Sequence, residues 1–61
     1  MILFFVVGWV NNDMRGWGFN GEFWSAIDLF RSYQNSVYER VTFYRINLRE
    51  VSIELLGEWK P

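Results

Sequence analysis

Acid–base or nucleophilic chemistry in this chain would have to come from carboxylates, hydroxyls and one lysine, because its 61 residues include neither histidine nor cysteine. A general acid and a general base must converge in differently tuned environments. Asp13 falls in a turn, Asp28 on a helix, and Glu50, Glu54 and Glu58 on the last element, a spacing that forces no two of them together. If that last element is a strand, Glu54 and Glu58 share its solvated face. The carboxylates do not cluster as a hard-cation site requires, and zinc and thiolate chemistry lack their ligands. Gly16-Trp17-Gly18 has neither the third glycine nor the parallel-strand context of a dinucleotide fingerprint. The expectation is a protein that is not an enzyme and takes no cofactor.

The residue types that are abundant suit recognition instead. Half of the chain is hydrophobic (51%) and a fifth is aromatic (21%), with four tryptophans. Protein–protein hot spots favour Trp, Tyr and Arg. Trp9, Trp17, Trp24 and Trp59 are too many for one helix and one hairpin to enclose, so at least one is expected to meet a partner. Net charge is −1 and the isoelectric point near 5.1, whereas a domain that binds nucleic acid through phosphates shows a basic patch and a high isoelectric point. Nucleic acid is not the expected partner, although the five scattered arginines leave a local basic patch open. A membrane-spanning helix needs about 20 apolar residues, and Asn11-Asn12-Asp13 stops the first apolar run early. That run also lacks the basic start and small-residue cleavage site of a signal peptide, and the missing cysteine fits a reducing compartment such as the cytoplasm.

The elements that would position these side chains are few. Met1 to Val10 contains almost nothing polar, so it reads as a strand over 2–10 covered on both faces. Leu3, Phe5, Val7 and Trp9 lie on one face; Ile2, Phe4, Val6 and Val10 lie on the other. Asn11-Asn12-Asp13-Met14-Arg15-Gly16 reads as a turn, and Trp17-Gly18-Phe19 as a short returning strand with both aromatics on one face. Gly8, Gly16, Gly18 and Gly21 suggest tight turns or close approach of another backbone. A helix is expected over 22–35, with either Asn20 as N-cap or Ser25 and Asp28 as a capping box. Its buried stripe would be Phe23, Ile27, Phe30 and Val37, widened by Ala26 and Tyr33, with Trp24 on the flank. Residues 40–47 read as a strand. Arg45 shares a face there with Val41 and Phe43, either snorkelling at a sheet edge or anchoring a partner's carboxylate. In the tail, Val51, Ile53, Leu55 and Trp59 alternate with polar residues as a strand does, following a hairpin at 47–50. Asn47 with Glu50, and Leu48, Val51, Leu55 and Leu56 before Gly57, offer a short helix instead.

The expected fold is therefore α+β: a small, mostly antiparallel sheet with one helix on one face, either ββαββ or ββαβ with a short C-terminal helix, in a single compact domain. One helix covers one face of the first strand. The other face, either the Phe5–Trp9 set or the Phe4–Val6 set, would need a second copy. That predicts a homodimer joined face to face or edge to edge, with Phe5, Val7, Trp9 and Trp24 as the candidate contacts. The candidate contacts to a protein partner are the turn residues Asn12, Asp13, Met14 and Arg15, together with Trp17 and Arg45.

Val6-Val7-Gly8-Trp9 followed by Asn12 and Met14, ahead of a helix and a strand, resembles small bacteriophage antitoxins of the T-even phages. The element order is also similar to that of short phage inhibitors of host RNA polymerase. The likeness covers about nine residues and carries over no functional residue. It implies a non-enzymatic protein that inhibits or neutralises a host or toxin protein by occluding its surface. The competing reading is a small structural subunit that associates only with itself.

Overall fold

The computed structural model describes Met1–Pro61. It has the ββαββ order: β1 (Ile2–Val10), β2 (Asp13–Asn20), α1 (Phe23–Gln34), β3 (Arg40–Asn47) and β4 (Ser52–Trp59). The four strands form one antiparallel sheet in the order β2-β1-β3-β4, with α1 on one face. The tail is thus a strand, as its alternation favours. β1 is an interior strand, but only its Phe4–Val6 face lies under the helix, and the cover expected on its other face is not supplied by this chain.

Differences from the sequence reading have local causes. Asn11 and Asn12 both take left-handed backbone, with φ of 53° and 65°, which lets two residues make the whole hairpin connection. Asp13, Met14 and Arg15 are therefore in β2 rather than in a turn, and β2 runs over eight residues instead of three. A register shift between Gly8 and Trp9 leaves Arg15 as an extra residue opposite β1, the geometry of a β-bulge. A second shift, between Phe43 and Tyr44, leaves Leu56 as the extra residue in β4. That bulge puts Glu54 and Glu58 on opposite faces, since Glu54 pairs with Arg45 and Glu58 with Thr42. Asn47 does cap the following turn: its Oδ1 accepts from the amides of Arg49 and Glu50 at 3.0 and 3.2 Å. The capped segment is a loop over 48–51 rather than a helix.

The helix is capped by neither Asn20 nor Ser25. The Glu22 carboxylate accepts from the amides of Trp24 (3.1 Å) and Ser25 (2.8 Å) and from the Ser25 hydroxyl (2.8 Å). Asn20 acts one step earlier, accepting from the Glu22 amide at 2.9 Å. The chain leaves the helix after Gln34, so Val37 is not part of the stripe and is 82% exposed. Ala26 is buried and Ile27, Leu29, Phe30 and Tyr33 are half-buried around it, against Phe4, Val6, Val41 and Phe43 of the sheet, whereas Phe23, expected in the stripe, is 38% exposed. The ring of Phe43 is central, stacked on Phe30 with centroids 5.4 Å apart and facing Phe4 at 6.0 Å. Burying one such side chain contributes about 2–3 kcal/mol.

Close packing on this face depends on glycine. Gly8 and Gly16 are cross-strand partners, and a Cβ on either would overlap the Tyr38 side chain, which lies over both. A Cβ on Gly18 would come within 2.7 Å of Leu29. Gly8, Gly16 and Gly18 lie inside strands, and the groups that approach them are side chains, so neither a tight turn nor another backbone accounts for them. Tyr38 packs in turn on Tyr33, with centroids 5.1 Å apart. Burial first, and then the neighbouring Tyr38 hydroxyl, raises the Tyr33 phenol above its ordinary value.

Two stability predictions follow from this packing and from the β3–β4 loop. Gly8→Ala must displace Tyr38 and is expected to cost about 1–3 kcal/mol. At Gly21→Ala a Cβ meets only Leu3, at 3.9 Å, and the change should be near neutral. Equal denaturation midpoints for the two variants would refute the packing role of Gly8. Val51 has φ of 51° and is 89% exposed. A β-branched residue in that region costs about 1–2 kcal/mol. Less the roughly 0.5–1 kcal/mol that glycine loses through unfolded-chain entropy, Val51→Gly should raise the melting temperature by a few degrees. A lower melting temperature would show that Val51 is unstrained.

Candidate functional site

The sheet has one covered face and one bare face. Cross-strand pairing arranges the bare face in four rows. Met14, Trp9 and Arg40 make the row nearest the Asn11–Asn12 turn. Trp17, Val7, Thr42 and Glu58 form the next, and Phe19, Phe5, Tyr44 and Leu55 the third. Leu3, Ile46 and Ile53 complete the set. Met14, Trp17, Phe19, Ile53 and Leu55 are 46–70% exposed. A compact 7.4 kDa chain presents about 4,200 Å² of surface, close to the 4270 Å² found. The anomaly is therefore the kind of surface exposed and not its extent.

The bare face is rigidly built. Phe19 stacks on Phe5 with centroids 4.4 Å apart, and Tyr44 flanks Phe5 at 6.0 Å. Trp9 donates from Nε1 to Thr42 Oγ1 at 2.8 Å, and the Arg40 guanidinium lies 4.6 Å from its ring centroid. Arg40 also pairs with Glu58 at 3.5 Å. Phe5, Val7, Trp9, Met14, Tyr44 and Ile53 line a shallow, wholly apolar depression of about 180 Å³. Such a surface can exclude water from a partner's apolar side chains, and two-χ aromatic rings do so at low entropic cost.

The structure divides the sequence-derived candidates. Phe5, Val7 and Trp9 share the bare face, and Met14 and Trp17 join them there. Trp17 is 59% exposed, whereas Val7 is fully buried beneath its neighbours. Trp24 is on the other side of the molecule, on α1, with its ring edge-on to Phe23 and 69% exposed. Asn12 is at the hairpin tip, and Asp13 and Arg15 pair with each other at 3.8 Å. Arg15 lies towards the helix side, beside Val10, Val37 and Tyr38. Arg45 stands apart from all of these. It is in an interior strand, not at a sheet edge, and bonds the carboxylate of Glu54 in the same chain. Phe19, Ile53 and Leu55 were not singled out in sequence. The period-2 pattern of Ile53 and Leu55 was visible, but their face depended on an unseen pairing register.

Carboxylates remain scattered, and no three His, Cys, Asp or Glu side chains group as a metal site. No helix is long and apolar enough to cross a membrane. A polar cleft at the turn end, lined by Asn11, Asn12, Glu39, Arg40 and Lys60 among others, is held by a bond from the Asn11 amide to Glu39 Oε1 at 2.6 Å.

The titration of Glu22 is clearly moved. The Ser25 hydroxyl, then the amides of Ser25 and Trp24, lower its pKa below the ordinary 4.5. The folded-state value is thus depressed, so the cap stabilises fully above the unfolded pKa and is lost as pH falls through the folded one. Between about pH 6 and about pH 3, wild type should lose stability that Glu22→Gln has already lost, so their denaturation midpoints converge. A constant gap between them would rule out this coupling.

No protein-family model matches the chain, and no curated protein or solved structure does.

Proposed function

We propose that this chain is a non-enzymatic protein-binding module that inhibits or neutralises a macromolecular partner by laying its bare sheet face over it. The observation that carries this reading is the continuous aromatic and aliphatic surface across β2, β1, β3 and β4, uncovered by any element of the chain. Single exposed apolar residues are ordinary on protein surfaces, but a contiguous patch of this kind marks an interaction site. Its composition, with Trp17, Phe19, Tyr44 and Met14 exposed or half-exposed and Arg40 at the border, is that of an interface centre with a polar rim.

The resemblance to phage antitoxins and host-takeover proteins points to a host or toxin protein as the target, with action in the host cytoplasm. Occlusion asks for no catalytic group, only for a rigid surface. A second reading, a structural subunit whose sole partner is itself, draws on the same face.

Affinity capture from bacterial lysate tests the proposal. Wild type should retain one defined protein. Trp17→Ala, with its far-UV dichroism preserved, should weaken that capture by at least about 2 kcal/mol, on the order of 30-fold. Arg31→Ala on the outer face of the helix should bind like wild type. Equal capture by wild type and Trp17→Ala would remove the sheet face from target binding, and retention of nothing but the chain itself would select the structural subunit.

A further inference from the structure

We infer that the bare face of the free protein is covered by a second copy of this chain, sheet face against sheet face. The inference rests on reading that face as a binding surface, and it names the occupant.

Area is sufficient. Four strands spaced about 4.8 Å apart, each about eight residues long at 3.3 Å per residue, give a flat footprint of about 500 Å² per copy. Two facing copies, with corrugated side-chain surfaces, bury more than about 1,000 Å² in total, which clears the lower bound for a biological interface. Two twisted sheets also have a standard way to pack, aligned about 30° apart with about 10 Å between them.

Charge points to self rather than to an oppositely charged protein. The charges bordering the bare face are of both signs: Arg40, Glu58 and Lys60, with Glu58 3.5 Å from the first cation and 3.8 Å from the second. A two-fold axis sets a patch against itself, so a patch of one sign would repel its copy. This one does not. A face made for a charged target would carry an excess of the opposite sign.

The alternative mode of self-association is obstructed. Both edge strands carry a bulge, with Arg15 the extra residue in β2 and Leu56 in β4. Bulges and charges on edges interrupt the row of free amides and carbonyls that edge pairing needs. Of the two modes the sequence left open, the structure therefore favours face to face.

The experiment is sedimentation or light scattering of the full chain at hundreds of micromolar, with far-UV dichroism as the check on folding. Wild type should run at twice 7.4 kDa. Phe19→Glu on β2 and Ile53→Glu on β4 place a carboxylate on the same face from opposite edges, so at least one should remain folded. Each folded variant should weaken dimerisation by at least about 100-fold, because burying an unpaired carboxylate is strongly unfavourable. Trp24→Ser on the helix side should leave the dimer intact. A wild-type monomer overturns the inference, as does a dimer that survives both glutamates or is lost in Trp24→Ser. A monomeric wild type whose target capture still falls in Trp17→Ala overturns the second copy alone. A monomeric wild type whose capture is indifferent to Trp17→Ala overturns the binding face as well.

Discussion

A twelve-residue helix is about 18 Å long and about 10 Å wide, so it can cover one face of a four-stranded sheet and no more. This inequality between one helix and two apolar sheet faces governs the rest of the molecule. β1 sits at the centre with Phe4 and Val6 under the helix and Phe5, Val7 and Trp9 turned away from it. A strand with only one apolar face would have let the sheet's second side be polar, as in ordinary two-layer domains. Here the excess is built in at the first strand and repeated on every strand beside it.

The covered face answers the same shortage of material by packing closely. Gly8, Gly16, Gly18 and Gly57 all lie on it, and Tyr38, Leu29 and Phe30 occupy the space their missing side chains leave. Tyr38 belongs to the connection after the helix, so a loop residue completes the layer that twelve helical residues cannot. The bulges serve both faces at once. By shifting phase at Leu56, β4 delivers Ile53 and Leu55 to the bare face but Gly57 and Trp59 to the helix side, where Trp59 packs against the core.

Much of this was legible in the sequence, for identifiable reasons. The unbroken apolar run fixed the position and two-sidedness of β1, and the 3.6-residue spacing of Phe23, Ile27 and Phe30 located the helix. The β-branched alternation of Ile53 and its neighbours marked the last strand. What could not be read was set by pairing. Nothing local says that Asn11 and Asn12 both adopt left-handed backbone, and that choice alone moves Asp13, Met14 and Arg15 from turn to strand. Nothing local marks Arg15 and Leu56 as bulges, so the faces of the residues beyond them were open by one position. Arg45 illustrates the same limit, because its partner Glu54 is specified only once β4 is in register with β3. For the candidate site, sequence named Phe5, Val7, Trp9, Met14 and Trp17 but distributed them between two roles, and register joins them into one surface.

That union couples stability to recognition. Only Val6, Val7, Ala26, Val41 and Phe43 form a buried apolar core, a small reserve for 61 residues. The bare face supplies part of the missing cohesion within the free chain: Phe19 and Tyr44 brace Phe5, and Thr42 fixes Trp9. The side chains that would meet a partner are therefore already holding β2 and β3 to β1. Replacing them with polar residues would weaken those cross-strand pairs, so the face cannot be made more polar without loss to the sheet. Whatever covers the face binds only the folded chain and so adds to folding stability by mass action. Exposure of this surface is thus a structural necessity of the fold, and a partner seated on it would meet a rigid apolar platform whose ordering the fold has already completed.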